Sequence, residues 1–214
     1  MKLKIPLIVL ILSLSFSCSI VSKKISKGQS ANFNEEEKSM ILKSDANQAM
    51  RVFKINNYHD SILLRKKADS LDLNSEKEII KHFSSRLLAT VRDTNSLGVG
   101  IAAPQVGILK RMIWVQRFDK KNLPFELYIN PRIKQFSKKK QACREGCLSI
   151  PERSDTTFTR AYAILIEYQK IDGSKHYEMV EGFTAVIFQH EIDHLDGILY
   201  LDHLAEESRR ARKP

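Results

Sequence analysis

Cysteine is scarce in this chain: Cys18, Cys143 and Cys147 are the three in 214 residues. They are too few for a disulfide framework, so a packed core has to hold the fold. With Cys18 set apart near the N-terminus, a metal or reactive role for Cys143 or Cys147 is the better expectation. Long apolar runs are missing too. The run at residues 5–16 is shorter than the roughly 20 residues a membrane-spanning helix needs. No internal repeat is visible. There is also no nucleic-acid motif and no basic stripe with interleaved aromatics, so nucleic acid is not an expected partner. The formal charge of +10, from 35 Lys+Arg against 25 Asp+Glu, gathers in local runs such as Arg65-Lys66-Lys67, Lys138-Lys139-Lys140 and residues 209–213. Such runs read as solvated surface, with a peptide carboxylate or an anionic membrane as secondary partners.

What is present begins at the N-terminus. Lys2 and Lys4 precede the short apolar run, and Ser17, Cys18 and Ser19 follow it. This is a positive n-region, an h-region and a small-residue cleavage-like site. Leu14-Ser15-Phe16-Ser17 directly before Cys18 resembles the lipobox of bacterial lipoproteins, in which the cysteine becomes the acylated first residue. We therefore expect residues 1–17 to be a signal peptide, Cys18 to be lipidated, and the protein to be exported and membrane-anchored. A plain secretory signal, an uncleaved anchor, or a cytoplasmic or organellar location are the alternatives.

Residues 19–47 are rich in Ser, Lys, Asn, Gln and Glu. We read a polar tether over 18–50 with a helical turn at 35–42, a folded domain over 51–205 and a basic tail over 206–214. Ile79, Ile80, Phe83, Leu87, Leu88 and Val91 recur at helical spacing and predict a helix over 75–93, capped by Asn74 or Ser75. Strands are expected at 111–116 and at 126–130, the latter closed by Pro131. A third, at 161–169, turns at Asp172-Gly173 into 175–180. A helix over 182–196 follows, with Gly197 as its stop. The fold class is α+β, with antiparallel or mixed strands surrounding a central helix.

That last helix carries His190-Glu191-Ile192-Asp193-His194, the H-E-x-x-H pattern. Residues four apart share a helix face, so both imidazoles can reach one ion, and Glu191 can act as general base on a water at its open side. A catalytic metal takes three protein ligands, and the polar end of the chain offers only Glu206 and Glu207. The third ligand is therefore sought upstream, where Cys147 sits beside Gly146.

Three segments then fall into order: Gly98-Val99-Gly100-Ile101-Ala102-Ala103-Pro104-Gln105, Glu145-Gly146-Cys147-Leu148-Ser149, and residues 189–197 around the histidines. Together they resemble the peptide deformylases, whose hallmarks are GxGxAAxQ, EGCxS and QHExDHLxG. The resemblance implies an enzyme that hydrolyses the formyl group from N-formyl-methionyl peptides or proteins and releases formate. It implies Cys147, His190 and His194 as ligands of one divalent metal, Fe(II) with Zn(II) as the alternative, and a water in the fourth position. Glu191 is then the general base, while the Gln105 amide and the Leu148 backbone N–H stabilise the oxyanion. Gly100 would offer its backbone to an extended peptide, Val99, Phe183, Val186 and Ile187 would line the methionine pocket, and Glu145 joins the substrate side. A monomer is favoured. Another HExxH metallopeptidase, or a lipid-anchored formyl-peptide-binding protein without turnover, are the rival readings. The tether, the export signal and the polar stretch 153–159 depart from the family's usual pattern.

Overall fold

The helix expected at 182–196 cannot be a surface helix, because eleven of its residues, from Thr184 to Leu195, are buried. An all-round apolar helix needs cover on every side. In the computed structural model, which describes residues 33–94 and 98–212, this helix α4 (Gly182–Leu195) packs against every strand of two sheets. The larger sheet has the order β1 (Gly100–Ala102), β2 (Met112–Gln116), β3 (Phe125–Phe136), β6 (Ala163–Gln169), β7 (Lys175–Glu181). The smaller is a hairpin of β4 (Lys140–Cys147) and β5 (Ile150–Ala161). All pairings between these strands are antiparallel, which resolves the antiparallel-or-mixed expectation for the described residues. The remaining helices are α1 (Glu35–Leu42), α2 (Tyr58–Leu64), α3 (Lys77–Val91) and α5 (Tyr200–Ala211). Gly197 does end the metal-motif segment. Its φ is 73°, and a Cβ there would lie 2.4 Å from the Arg65 carbonyl oxygen.

Four expectations change. Pro131 does not close its strand, because β3 continues to Phe136. The register shifts between Ile129 and Arg132, so the proline with no N–H sits in a bulge. Asn130, at φ 52°, turns its side chain to Leu71 at that bulge, accepting from Leu71 N at 2.8 Å and donating to Leu71 O at 2.9 Å. Helix α3 starts at Lys77 behind a left-handed Glu76 that makes no side-chain cap, so neither Asn74 nor Ser75 is its N-cap. The β4–β5 hairpin was not foreseen, since its inward positions include polar Glu145 and Thr157 and the apolar alternation is hidden. Glu206 and Glu207 are not in a loose tail but on α5, where Glu207 Oε1 accepts from the backbone of Phe158 at 2.9 Å and Thr159 at 3.0 Å.

The tether boundary also moves. From Phe33 onward the segment expected to be a tether packs on the domain: Phe33, Ile41 and Met50 join the core formed by Phe83, Leu87 and Ile101. Asn34 and Glu37 form a capping box that starts α1. Its last carbonyls are taken by the buried Arg86 guanidinium, which donates to Met40 O at 2.8 Å and Ile41 O at 2.9 Å. Three apolar side chains in a polar segment are enough, because only one face of α1 meets the core. The signal peptide and Cys18 lie outside the described residues.

A chain beginning at residue 51 should therefore be less stable than one beginning at residue 33. Burial of a large apolar side chain contributes about 1.5–3 kcal/mol, and three are lost, so the difference should be at least about 4 kcal/mol. Urea unfolding of the two truncations measures it. Coincident midpoints would return residues 33–50 to the status of a tether.

Candidate active site

Helix α4 turns Phe183, Ile187, His190 and Glu191 toward a cavity of about 790 Å³, at the positions i, i+4, i+7 and i+8 of one face. The opposite walls are the edge strand β1 with Gly98, Val99 and Gly100, the β4–β5 turn with Cys147 and Leu148, and the strap of residues 50–54. The strap is fixed by Phe53 N donating to Gln105 O at 2.7 Å and Ile55 N donating to Ser149 O at 2.9 Å.

At the cavity floor Cys147, His190 and His194 each bring a ligand atom within 4.8 Å of the others. Cys147 Sγ lies 3.1 Å from His194 Nε2. Burial disfavours a thiolate, but the imidazoles of His194 and His190 outweigh it and hold the Cys147 thiol well below its ordinary pKa. Such a charged, shared arrangement of soft sulfur and two ring nitrogens suits a divalent transition metal. One buried atom supports that fit: Glu191 Oε2, beside the cluster, has no protein partner. Glu191 is enclosed enough that burial pushes its pKa up to about 7, against the pull of His190 and His194.

Each group is held from behind. His190 Nδ1 contacts Glu145 Oε2 at 2.9 Å, which leaves Nε2 for the cluster. Glu145 also accepts from Arg160 Nε and Nη2, both at 2.8 Å. Burial would raise its pKa, yet His190 and Arg160 keep the carboxyl ionised far below the usual range. Glu145 lines the cavity and at the same time supports His190 from beneath. Arg160 Nη1 reaches Asp193 at 2.6 Å, and Asp193 in turn meets His203 Nε2 on α5 at 2.8 Å. Gln105 is fixed by its carbonyl oxygen, which accepts from Ala102 N at 2.8 Å. Its amide nitrogen then faces Cys147 Sγ at 3.5 Å and Ser149 Oγ at 3.4 Å. Gly100 allows β1 to touch the helix: a Cβ there would stand 2.4 Å from Glu191 Oε1.

Of the residues expected from sequence, Glu191, Gln105, Leu148, Cys147, His190, Glu145, Gly100, Val99, Phe183 and Ile187 all line the cavity, and His194 joins Cys147 and His190 in the ligand cluster. Val186 does not; it is buried at the margin of the helix face. Sequence reading missed Arg160, Asp193 and His203. Arg160 falls between the polar stretch 153–159 and the strand expected from 161, and only the β4–β5 pairing brings it near Glu145.

The Polypeptide deformylase family model matches residues 52–210. The peptide deformylase of Desulforudis audaxviator is 40% identical over 153 residues, 72% of this chain and 94% of that protein. Peptide deformylase 1 of Clostridium perfringens is 38% identical over 146 residues, 68% of this chain and 94% of its own length. Among solved structures, the Met-Ala-Ser-bound class I type b peptide deformylase of Acinetobacter baumannii superimposes with a TM-score of 0.65 at 32% identity, covering 73% of this chain and 99% of that one. The peptide deformylase of Thermotoga maritima does so with a TM-score of 0.64 at 31% identity, covering 73% and 97%. With the three motifs gathered around one cavity, the chain belongs to the peptide deformylase family.

Proposed function

We propose that Glu191, Gln105 and the Leu148 backbone N–H carry out the deformylation for which the family is named, with Cys147, His190 and His194 holding its metal. The enzyme removes the formyl group from N-formyl peptides, releasing formate and a free amino terminus. The observation that carries these roles is the unpaired Glu191 Oε2 inside the cavity, next to the Cys–His cluster. When bound, a divalent ion there supplies Lewis acidity, polarising the formyl oxygen and lowering the pKa of a nearby water. The Glu191 carboxylate takes the proton of the water that attacks the formyl carbon, then gives a proton to the departing amine nitrogen. The Gln105 amide nitrogen, aimed by the Ala102 N–H on its oxygen, donates to the developing oxyanion, and Leu148 N–H joins it from the β4–β5 turn. Strand β1 is a sheet edge, so the backbone at Gly100 can add an extended peptide as a further strand. Val99, Phe183 and Ile187 then surround the methionine side chain.

For the metal we assign Fe(II), on the resemblance to the ferrous deformylases, with Zn(II) as the alternative that a thiolate and two imidazoles also suit. For location we assign export and anchoring through acylated Cys18, on the strength of Lys2, Lys4 and the apolar run before it. No helix of the described residues is long and apolar enough to cross a membrane. In this reading acylated Cys18 is the anchor.

Anaerobically purified full-length protein should release formate from formyl-Met-Ala-Ser and contain stoichiometric iron by elemental analysis. Glu191→Gln should retain the metal and lose two or more orders of magnitude in turnover, roughly the scale of a lost general base. Cys147→Ala should lose metal and activity together; normal metal content in that variant would refute the ligand set. Zinc alone, with activity indifferent to oxygen, would replace the iron assignment.

Acylation at Cys18 predicts that a tagged wild-type protein partitions with membranes and that Cys18→Ala becomes soluble. Wild-type protein found in the cytosol with an unprocessed N-terminus would overturn the export reading.

A further inference from the structure

The rim of the cleft is unevenly charged. Arg51 and Lys54 border it on the strap, and Arg144 and Arg153 on the β4–β5 hairpin. All four are exposed. Arg51 is committed to Asp60, which it grips through hydrogen bonds of 2.7 and 2.9 Å. Arg153 shares Asp155 at 2.8 Å. Lys54 and Arg144 have no carboxylate partner among the described residues, and Arg144 engages only its Nε, on Ser154 Oγ at 3.0 Å. Three carboxylates also line the cleft. Glu145 is matched by Arg160 and His190, Glu191 belongs to the reacting centre, and Glu152 alone remains at the rim. Both walls are anchored: the strap by the Phe53 and Ile55 backbone bonds, the hairpin by the Glu145–Arg160 pair. The unmatched cations therefore stand on two walls of the cleft, Lys54 on the strap and Arg144 on the hairpin.

We infer that the outer cleft selects peptides with a carboxylate downstream of the formyl-methionine, either an acidic side chain or, in a short peptide, the chain terminus. The inference rests on the deformylase reading and adds a substrate class to it. An exposed charge pair contributes little alone, but two unmatched cations act on one ligand charge. The effect should be about tenfold in kcat/KM, carried by KM, and it should fade as salt shortens the Debye length.

The test uses the full-length metal-loaded enzyme and formate release from formyl-Met-Ala-X amides, with X as Asp, Ser or Lys, beside the free-acid form of the Ser peptide. At low salt the Asp amide should exceed the Lys amide about tenfold, and the gap should shrink to about twofold near 0.5 M salt. The double variant Lys54→Glu with Arg144→Glu should reverse the order of Asp and Lys. A free-acid Ser peptide that outpaces its amide assigns the same cations to a terminal carboxylate, and an Asp amide that outpaces the Ser amide assigns them to a side chain. Asp and Lys amides within twofold at low salt together with a free-acid Ser peptide no faster than its amide, or a preference that survives the double charge reversal, would overturn the inference. Absence of formate from every peptide, the Ser amide included, would instead strike the deformylase reading beneath it.

Discussion

The ionised carboxylate of Glu145 is the constraint on which the site depends. It is 4% exposed, and a charge so enclosed is tolerated only when its lone pairs are filled. Arg160 fills them from β5, His190 from α4 and Thr157 from across the hairpin. One residue therefore ties the small sheet to the central helix, orients one imidazole of the metal cluster and sets its tautomer. Detaching the hairpin would leave an unpaired charge in the interior, so the hairpin is held where its own apolar contacts are few. The cluster beneath it contains only Ile150, Leu199 and Tyr200 as buried members. The same chain of contacts runs on through Asp193 to His203, which couples α5 to the back of the metal helix.

The second constraint is close approach. Strand β1 must lie against α4 for a peptide on its edge to meet Glu191, and no side chain can stand between them at Gly100. The short helical turn of residues 103–106 after β1 then brings Gln105 back over Cys147. Strand β1 and the turn after it are two consecutive pieces of backbone. This is why the glycines and the glutamine occur as one motif rather than scattered along the chain.

The surface has a different logic from the floor. Around the site floor, Glu145 and Asp193 both hold the buried Arg160. Outside, Lys54 and Arg144 face solvent beside the cleft without a carboxylate, and β5 is polar from Glu152 to Thr156. Such a rim does not alter the bond being cleaved. On the substrate preference we infer, it biases which peptides dwell there, through forces that act over several ångströms and respond to salt.

Much of the chemistry was legible in the residues themselves. His190, Glu191 and His194 lie four apart or less, so one helix suffices to aim them, and Cys147 and Gln105 were marked by short motifs whose spacing survives any fold. Helix α3, strands β2 and β6 and the β6–β7 turn also follow from local periodicity and turn residues. What the sequence could not express was pairing over distance. Glu145 and Arg160 are neighbours only because β4 and β5 pair, and alternation there is masked by buried polar side chains. Arg86 caps α1 from a helix more than forty residues away, which is why residues 33–50 looked like a tether while belonging to the core. Pro131 broke a strand in one dimension but only bulged it in three. Local spacing marked the side chains that the fold gathers around the cavity. Tertiary structure decided which buried charges hold them in place, because an ion pair enclosed in the core depends on what surrounds it and not on what precedes it in the chain.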